Sequence, residues 1–202
     1  MTLQVAALQL GPYQTNCYLV AREGATDAVI VDPGDEPQRV IDALAEQGLT
    51  AGGILVTHGH LDHIGAVKAL AEQTGVDVWM ARGDADSLRT FGPAPYDPQH
   101  LVGGGETAEI AGVEFRAFDV PGHTGGSVAF ATGGVVFSGD VLFAGSIGRT
   151  DFAGGDLPTL IESIALLMQE LPGDTVVLSG HGPPTTLEQE RATNPFLAEL
   201  RS

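Results

Sequence analysis

Residues 57–65 read "THGHLDHIG": three histidines and an aspartate stand within six positions, directly after the apolar run "GGILV" at 52–56. The chain has six histidines, and none of the other three lies within thirty residues of this cluster. Two readings are open, a metal or a polar turn that happens to contain histidine. His58 and His60 are two apart, so an extended backbone sends both side chains to the same side. Asp62 and His63 follow at the turn into a helix and can face the same space from another backbone direction. One metal could not easily take all four; two adjacent metals could.

Four further polar patterns follow strands or open turns: Asp32 in "VDPG", His123 in "PGHTGGS", Asp140 in "FSGD" and His181 in "SGHGP". Strand ends suit this role, because the strand fixes the backbone while the loop exposes the side chain. Taken singly, His123 or His181 would more often be a turn or core residue than a ligand, and Gly59 and Gly65 only turn glycines. The joint pattern decides otherwise, since five of the six histidines occupy strand-end contexts. With Asp62 and Asp140 they make seven candidates, three for each of two metals and one carboxylate to bridge. Imidazoles and carboxylates suit zinc, and also iron, manganese or nickel. The sixth histidine, His100, has no motif around it and reads as a plain surface residue.

Around these motifs the strand-like runs are "NCYLVA", "DAVIVDPG" and "GGILVTHGH", then "VDVWM", "GVEFRAFDV", "SVAFAT", "GVVFSGD" and "DTVVLSGHG". Helices are predicted over "PQRVIDALAEQG", closed by Gly48, and "IGAVKALAEQTG", closed by Gly75. Asp84 to Arg89 reads as a helical turn or two, "LPTLIESIALLMQEL" as the longest helix, and "TTLEQERATNPFLAEL" as a terminal helical region. Residues 91–105 carry three prolines and four glycines and read as a loop. This order predicts sheets covered by helices on their outer faces rather than a simple alternating parallel fold. No fixed-period repeat is present, and residues 1–202 are expected to form one domain.

The balance of 9 basic and 26 acidic residues gives a net charge of −17. Such a surface repels phosphate backbones and anionic lipid headgroups, and the basic residues are scattered, so neither nucleic acid nor a membrane is expected as a partner. No apolar run approaches the roughly eighteen residues a membrane helix needs. The N-terminal stretch lacks a basic n-region and a small-residue cleavage site, so a cytoplasmic location is expected. The single Cys17 rules out an internal disulfide, agrees with a reducing compartment, and sits in an apolar run as a packed thiol. The sequence does not speak to oligomeric state.

The segment "THGHLDHIGA" closely resembles the T-H-x-H-x-D-H signature of the metallo-beta-lactamase superfamily, and "PGHTGGS", "FSGD" and "SGHG" match that family's other metal-binding motifs in the same order. The resemblance covers nearly the whole chain, from "QTNCYLV" to "TNPFL". Within the superfamily the chain looks most like the short glyoxalase II-type (hydroxyacylglutathione hydrolase-like) enzymes, on the strength of "GSIGRTDF" at Gly145–Phe152. The resemblance implies an α/β fold, a four-layer αβ/βα sandwich with two sheets face to face and helices outside. It implies two divalent metal ions, expected to be zinc, with iron or manganese as alternatives. His58, His60 and His123 would bind the first ion, Asp62, His63 and His181 the second, and Asp140 would lie between them. Asp32 would have a structural role near the site.

The implied activity is hydrolysis of small acyl thioesters by a metal-bridging hydroxide, with Asp62 and Asp140 orienting the nucleophile while serving as ligands. A thiolate leaving group needs little protonation near neutral pH, which suits a site with no obvious general acid. Longer glyoxalase II proteins continue into a helical region that helps bind glutathione; this sequence offers Arg191 and Arg201 as its only late cations, so weak glutathione recognition is expected. Arg149 is a candidate for substrate contact, although an ion pair with Asp151 or another acid is favoured; Phe91 and Tyr96 are candidates to line a cleft. The competing reading is an iron-dependent persulfide dioxygenase, in which His58, His123 and Asp140 form a two-histidine, one-carboxylate triad. A β-lactamase is disfavoured by the lack of a secretion signal, a nuclease by the charge, and a non-enzymatic metal-binding module by the completeness of the ligand set.

Overall fold

Alternation along the strands sorts the apolar residues into separate cores. In the strand Asp27–Val31, Ala28 and Ile30 enter one cluster while Val29 and Val31 enter another. The computed structural model describes residues 2–90 and 95–201, so Phe91 lies outside the described residues.

The first sheet consists of β1 (Leu3–Leu10), β2 (Thr15–Arg22), β3 (Asp27–Val31), β4 (Thr50–Val56), β5 (Val78–Ala81) and β6 (His100–Val102), neighbours in that order. β1 to β3 pair antiparallel and β3 to β6 parallel. Parallel neighbours need crossovers, which are supplied by α1 (Pro37–Glu46), the short α2 (Leu61–Ile64) with α3 (Val67–Thr74), and α4 (Ala85–Thr90). The second sheet takes β7 (Thr107–Ile110), β8 (Val113–Asp119), β9 (Val128–Thr132) and β10 (Val135–Gly139). After the small hairpin of β11 (Leu142–Phe143) and β12 (Ser146–Ile147) and the long α5 (Leu157–Glu170), it adds β13 (Val176–Ser179) and β14 (Thr185–Thr186). Its strand order is β14-β13-β10-β9-β8-β7, with β10 and β13 parallel across α5. Helix α6 (Leu187–Thr193) and a 3₁₀ segment, Pro195–Arg201, complete the chain.

Three apolar clusters separate four layers. Tyr18, Val20, Val31 and Leu55 meet Phe115, Phe130, Phe137 and Leu178 between the sheets. Ile30, Ile54 and Val56 on the other face of the first sheet pack against Val40 and Leu44 of α1, Leu70 of α3 and Leu88 of α4. Ala129, Val136 and Val177 on the far face of the second sheet pack against Leu160, Ile164 and Leu167 of α5 and Leu187 of α6. The expected α/β four-layer sandwich is therefore the observed fold. Cys17 is fully buried in the first-sheet cluster, where burial pushes its thiol far above the usual range. Among the described residues, no helix is long and apolar enough to cross a membrane.

Several elements depart from the sequence prediction. β6 falls inside the segment predicted as loop, because Leu101 and Val102 pair with Met80 and Ala81 while the flanking glycines and prolines confine the strand to three residues. β1 and β7 were not predicted; β1 is an edge strand whose partly exposed side chains alternate weakly, and it is held by eight paired positions with β2. The predicted helix over "IGAVKALAEQTG" is divided, since the Ala66 N–H donates to Pro33 O at 3.0 Å outside the helix.

Candidate metal centre

The motif-bearing residues follow the C-terminal ends of β3, β4, β8, β10 and β13, and these ends converge at one edge of the sandwich. Backbone bonds lock the two sheets together there: Val128 N donates to Thr57 O at 3.0 Å, and Asn16 N to Gly180 O at 2.7 Å. Asn16 Nδ2 also donates to the carbonyls of Ser179 and Gly182, and Tyr18 OH to Ser179 O at 2.6 Å. The loop that carries His181 is thus held by side chains of β2.

All seven candidates meet. His58, His60, His123 and Asp140 bring one ligand atom each within 4.8 Å of one another, and Asp62, His63 and His181 do the same beside them. In the first group His60 Nδ1 and His123 Nε2 approach to 2.8 Å. In the second, His181 Nε2 lies 3.2 Å and His63 Nε2 3.8 Å from Asp62 Oδ2. Asp140 stands between, with Oδ1 3.3 Å from His63 Nε2 and Oδ2 3.6 Å from His123 Nε2 and 3.5 Å from His181 Nε2. His100 is elsewhere, stacked on Trp79 and paired with Asp77 at 2.9 Å.

The neighbouring hydrogen bonds fix which nitrogen carries the proton in three of the five neutral rings. His63 Nδ1 faces Asp32 Oδ2 at 3.0 Å and His123 Nδ1 faces Arg149 O at 2.8 Å, so each Nδ1–H donates outward and, in the neutral ring, each Nε2 keeps a lone pair. Thr57 Oγ1 donates to Asp32 Oδ2 at 2.7 Å; its oxygen is then free to accept from His58 Nδ1 at 3.0 Å, which leaves His58 Nε2 as acceptor too. Asp32 thereby sets two rings at once, one directly and one through Thr57. A grouping of Asp32 with His58 and His63 also lies within 4.8 Å, but the oxygens of Asp32 already accept from Thr57 N, Thr57 Oγ1 and His63. It orients; it is not a third ion site.

The result is a set of inward-facing donors without partners. His58 Nε2, His63 Nε2 and Asp140 Oδ1 are buried and make no hydrogen bond; the 3.3 Å between the last two lacks hydrogen-bond alignment. Orphaned buried polar atoms cost stability unless something satisfies them. Three such atoms, ringed by imidazole nitrogens and carboxylates, fit divalent cations such as zinc or iron.

The electrostatics agree. Burial, reinforced by His63 with its ring centroid 4.1 Å away, holds His58 well below its usual pKa. Burial also lowers His63, but the charges of Asp140 and Asp32 overcome it and hold the ring well above the usual value. Hydrogen bonds to Asp140 and Asp62 raise His181 to about 9. Burial works to raise Asp62, yet the bond from His181 prevails and brings it down to about 2. The two carboxylates thus favour the protonated forms of His63 and His181, and holding a cation would require both rings in the neutral form.

Asp32→Asn is expected to weaken metal binding about 10- to 100-fold, because the amide cannot hold both His58 and His63 in their lone-pair tautomers. Asn tolerates the positive φ of 50° at this position, so the backbone turn survives. Competition against a chromophoric chelator measures it; wild-type affinity would contradict the relay through Thr57.

Several contributors carried no sequence signal. Thr15 Oγ1 donates to Asp62 Oδ2 at 3.0 Å, and Asp84 Oδ2 accepts from Gly59 N at 2.9 Å, bracing the backbone between His58 and His60. Arg149 forms the expected ion pair, two bonds of 2.7 Å to Asp151, and lies 3.7 Å over the Phe152 ring, whose edge approaches His60. Tyr96 packs on the first-sheet cluster and bonds Gln99, and none of its hydrogen bonds reaches the seven ligands.

Comparison with known proteins gives a consistent picture. The family model described as metallo-beta-lactamase superfamily matches residues 10–181. The protein named hydroxyacylglutathione hydrolase GloC from Haemophilus influenzae is 36% identical, over 96% of this chain and 98% of its own. Among solved structures, BLEG-1 B3 metallo-beta-lactamase superposes with a TM-score of 0.88 at 38% identity, covering 96% of this chain and 100% of that one. TTHA1623 in a di-iron-bound form gives 0.80 at 40% identity, covering 95% and 100%. ETHE1 from Myxococcus xanthus gives 0.83 at 30%, covering 98% and 85%.

Proposed function

The chain belongs to the metallo-beta-lactamase superfamily, and on that premise we propose that it is a metal-dependent hydrolase of small acyl thioesters. The observation that carries the reading is the pair of adjoining ligand groups joined by Asp140, with three buried donor atoms left without hydrogen-bond partners. His58, His60 and His123 would hold one divalent ion, Asp62, His63 and His181 a second, and Asp140 both. Zinc suits this donor set, and iron and manganese suit it as well; iron is the metal of the TTHA1623 structure.

When bound, such a pair of ions supplies a hydroxide nucleophile near neutral pH and polarises the scissile carbonyl. The protein's own groups do the positioning. Asp140 lies between the two ligand groups and Asp62 within the second, where their carboxylate oxygens would orient the attacking water by accepting its hydrogens. Asp32, Thr57 and the Arg149 carbonyl keep three of the five imidazoles in the tautomer that turns a lone pair inward. A departing thiolate needs no proton near pH 7, so the site requires no separate acid. The similarity to the Haemophilus influenzae hydroxyacylglutathione hydrolase, whose named substrate is a thioester, supports this class over others.

The test is a metal determination joined to three assays on the same preparation: thioester hydrolysis, persulfide-dependent oxygen uptake and β-lactam hydrolysis. Two metals per chain with thioester turnover and no oxygen uptake is the expected result. One iron with oxygen uptake would replace the reading by the dioxygenase, in which His58, His123 and Asp140 suffice. Faster β-lactam than thioester turnover would make the chain a lactamase.

A further inference from the structure

A cleft of about 370 Å³ lies against the metal centre, bounded by the β1–β2 turn on one side and by α2 on the other, and nothing in the chemistry above uses it. Its size is within the roughly 300–1,000 Å³ of small-ligand pockets. Leu10, Pro12, Tyr13 and Leu61 give it an apolar lining, and Asp62, one of the seven ligand candidates, forms part of its wall. Tyr13 is 73% exposed and Leu61 56% exposed, so two large apolar side chains stand uncovered at the edge of a reactive centre. Scattered exposed apolar residues are ordinary; two converging on one cleft beside a site mark a place where a ligand takes the place of water.

The cleft is built rather than incidental. Thr15, at the base of the turn, is tied to Asp62 at 3.0 Å, which couples this wall directly to the ligand set. The turn closes through Gln14 N donating to Gly11 O at 3.2 Å, and Gly11 N is anchored on Glu36 Oε2 at 3.0 Å. Arg39 spans the same corner, bonding Gln9 O and Glu36. Five bonds thus fix the turn that carries Tyr13 before any ligand arrives.

Charge then selects the ligand. The charged residues that line the cleft are Asp35 and Asp62, both acidic, and no cation lines it. Arg39, in the first turn of α1, and Arg149, after β12, are outside the lining and pair with Glu36 and Asp151. With Asp62 committed to the metal ligand set, an anionic group entering here would meet the carboxylate of Asp35 with no cation on the lining, on a chain of net charge −17. From this we propose that the cleft receives an uncharged, apolar arm of the substrate, so that the preferred substrates are thioesters carrying a neutral aromatic or branched-alkyl group rather than an anionic peptide. The proposal rests on the thioesterase reading and names its substrate class.

The experiment uses the metal-loaded full chain and two substrate series. One fixes a lactoyl group and varies the thiol among methanethiol, benzyl mercaptan and glutathione; the other fixes the small thiol and varies the acyl group from acetyl to phenylacetyl. In at least one series the benzyl-bearing member is expected to show a KM about tenfold below its methyl counterpart, and Tyr13→Ala or Leu61→Ser should collapse that ratio towards one. Asp35→Lys should lower KM for the glutathione thioester. Ratios that survive both apolar substitutions in both series would overturn the proposal. A non-hydrolysable benzyl thioether, titrated calorimetrically, separates the two readings. Binding lost in Tyr13→Ala without turnover of any thioester keeps the cleft and removes the thioesterase. Thioester turnover with equal thioether binding by wild type and Tyr13→Ala does the reverse.

Discussion

Asp140→Asn is expected to lower thioester turnover on the order of 10³-fold or more and to reduce the metal retained after dialysis, while His100→Ala remains close to wild type. The asymmetry follows from what each side chain touches. Asp140 directs one oxygen to His63 and the other to His123 and His181, so it is the residue shared by both ligand groups. Asn has the same shape and leaves no cavity, which isolates the loss of charge and of one ligand oxygen from any packing defect. Its amide also places hydrogens where the site needs lone pairs. His100, by contrast, is the histidine outside the cluster, and its pair with Asp77 is exposed and of little consequence for stability. Turnover and metal content measured side by side on the two variants decide the matter. Equal losses would mean that the seven-residue site is misassigned.

The reason so much of this centre was legible in the sequence is that its ligands are clustered by type and by position. Histidine is scarce in the chain, and five of six fall just beyond strands, so their convergence follows once the strand ends share one edge of the sandwich. The helices were legible because α1 and α5 bury a single stripe and stop at recognisable breakers. What the sequence hid was long-range. β6 exists because β5 offers a partner, not because "HLV" demands a strand. Thr57 and Thr15 look like any strand-end threonines, and their role appears only when Asp32, 25 residues from Thr57, and Asp62, 47 residues from Thr15, fold back onto them. Asn16 and Tyr18 read as part of an apolar strand, yet they hold the His181 loop from 161 or more residues away. Hydrogen bonds between distant segments leave no periodicity behind.

Gly180→Ala is expected to lower metal affinity by about two orders of magnitude while the fold stays intact, which makes it the more discriminating test of the geometry. A β-carbon at Gly180 would meet Asp140 Oδ1 and stand 2.5 Å from His63 Cε1, closer than real Cβ atoms approach anything. Neither side can yield easily. The backbone of Gly180 is fixed by its N–H on Gly139 O at 2.9 Å and by its carbonyl on Asn16 N at 2.7 Å. His63 is pinned from behind by Asp32 at 3.0 Å. The added methyl must therefore push the inward ends of two ligands aside, and these are the ends that carry the orphaned donor atoms. Gly125→Ala is the matched control: it lies in the His123 loop, nothing stands within 4 Å of its would-be Cβ, and its φ is not positive. Metal content after dialysis, with circular dichroism to verify folding, should fall for Gly180→Ala and hold for Gly125→Ala. A folded Gly180→Ala protein that retains its metals at wild-type affinity would show that His63 and Asp140 do not share an ion across this gap, because a methyl group there leaves no room for the arrangement described.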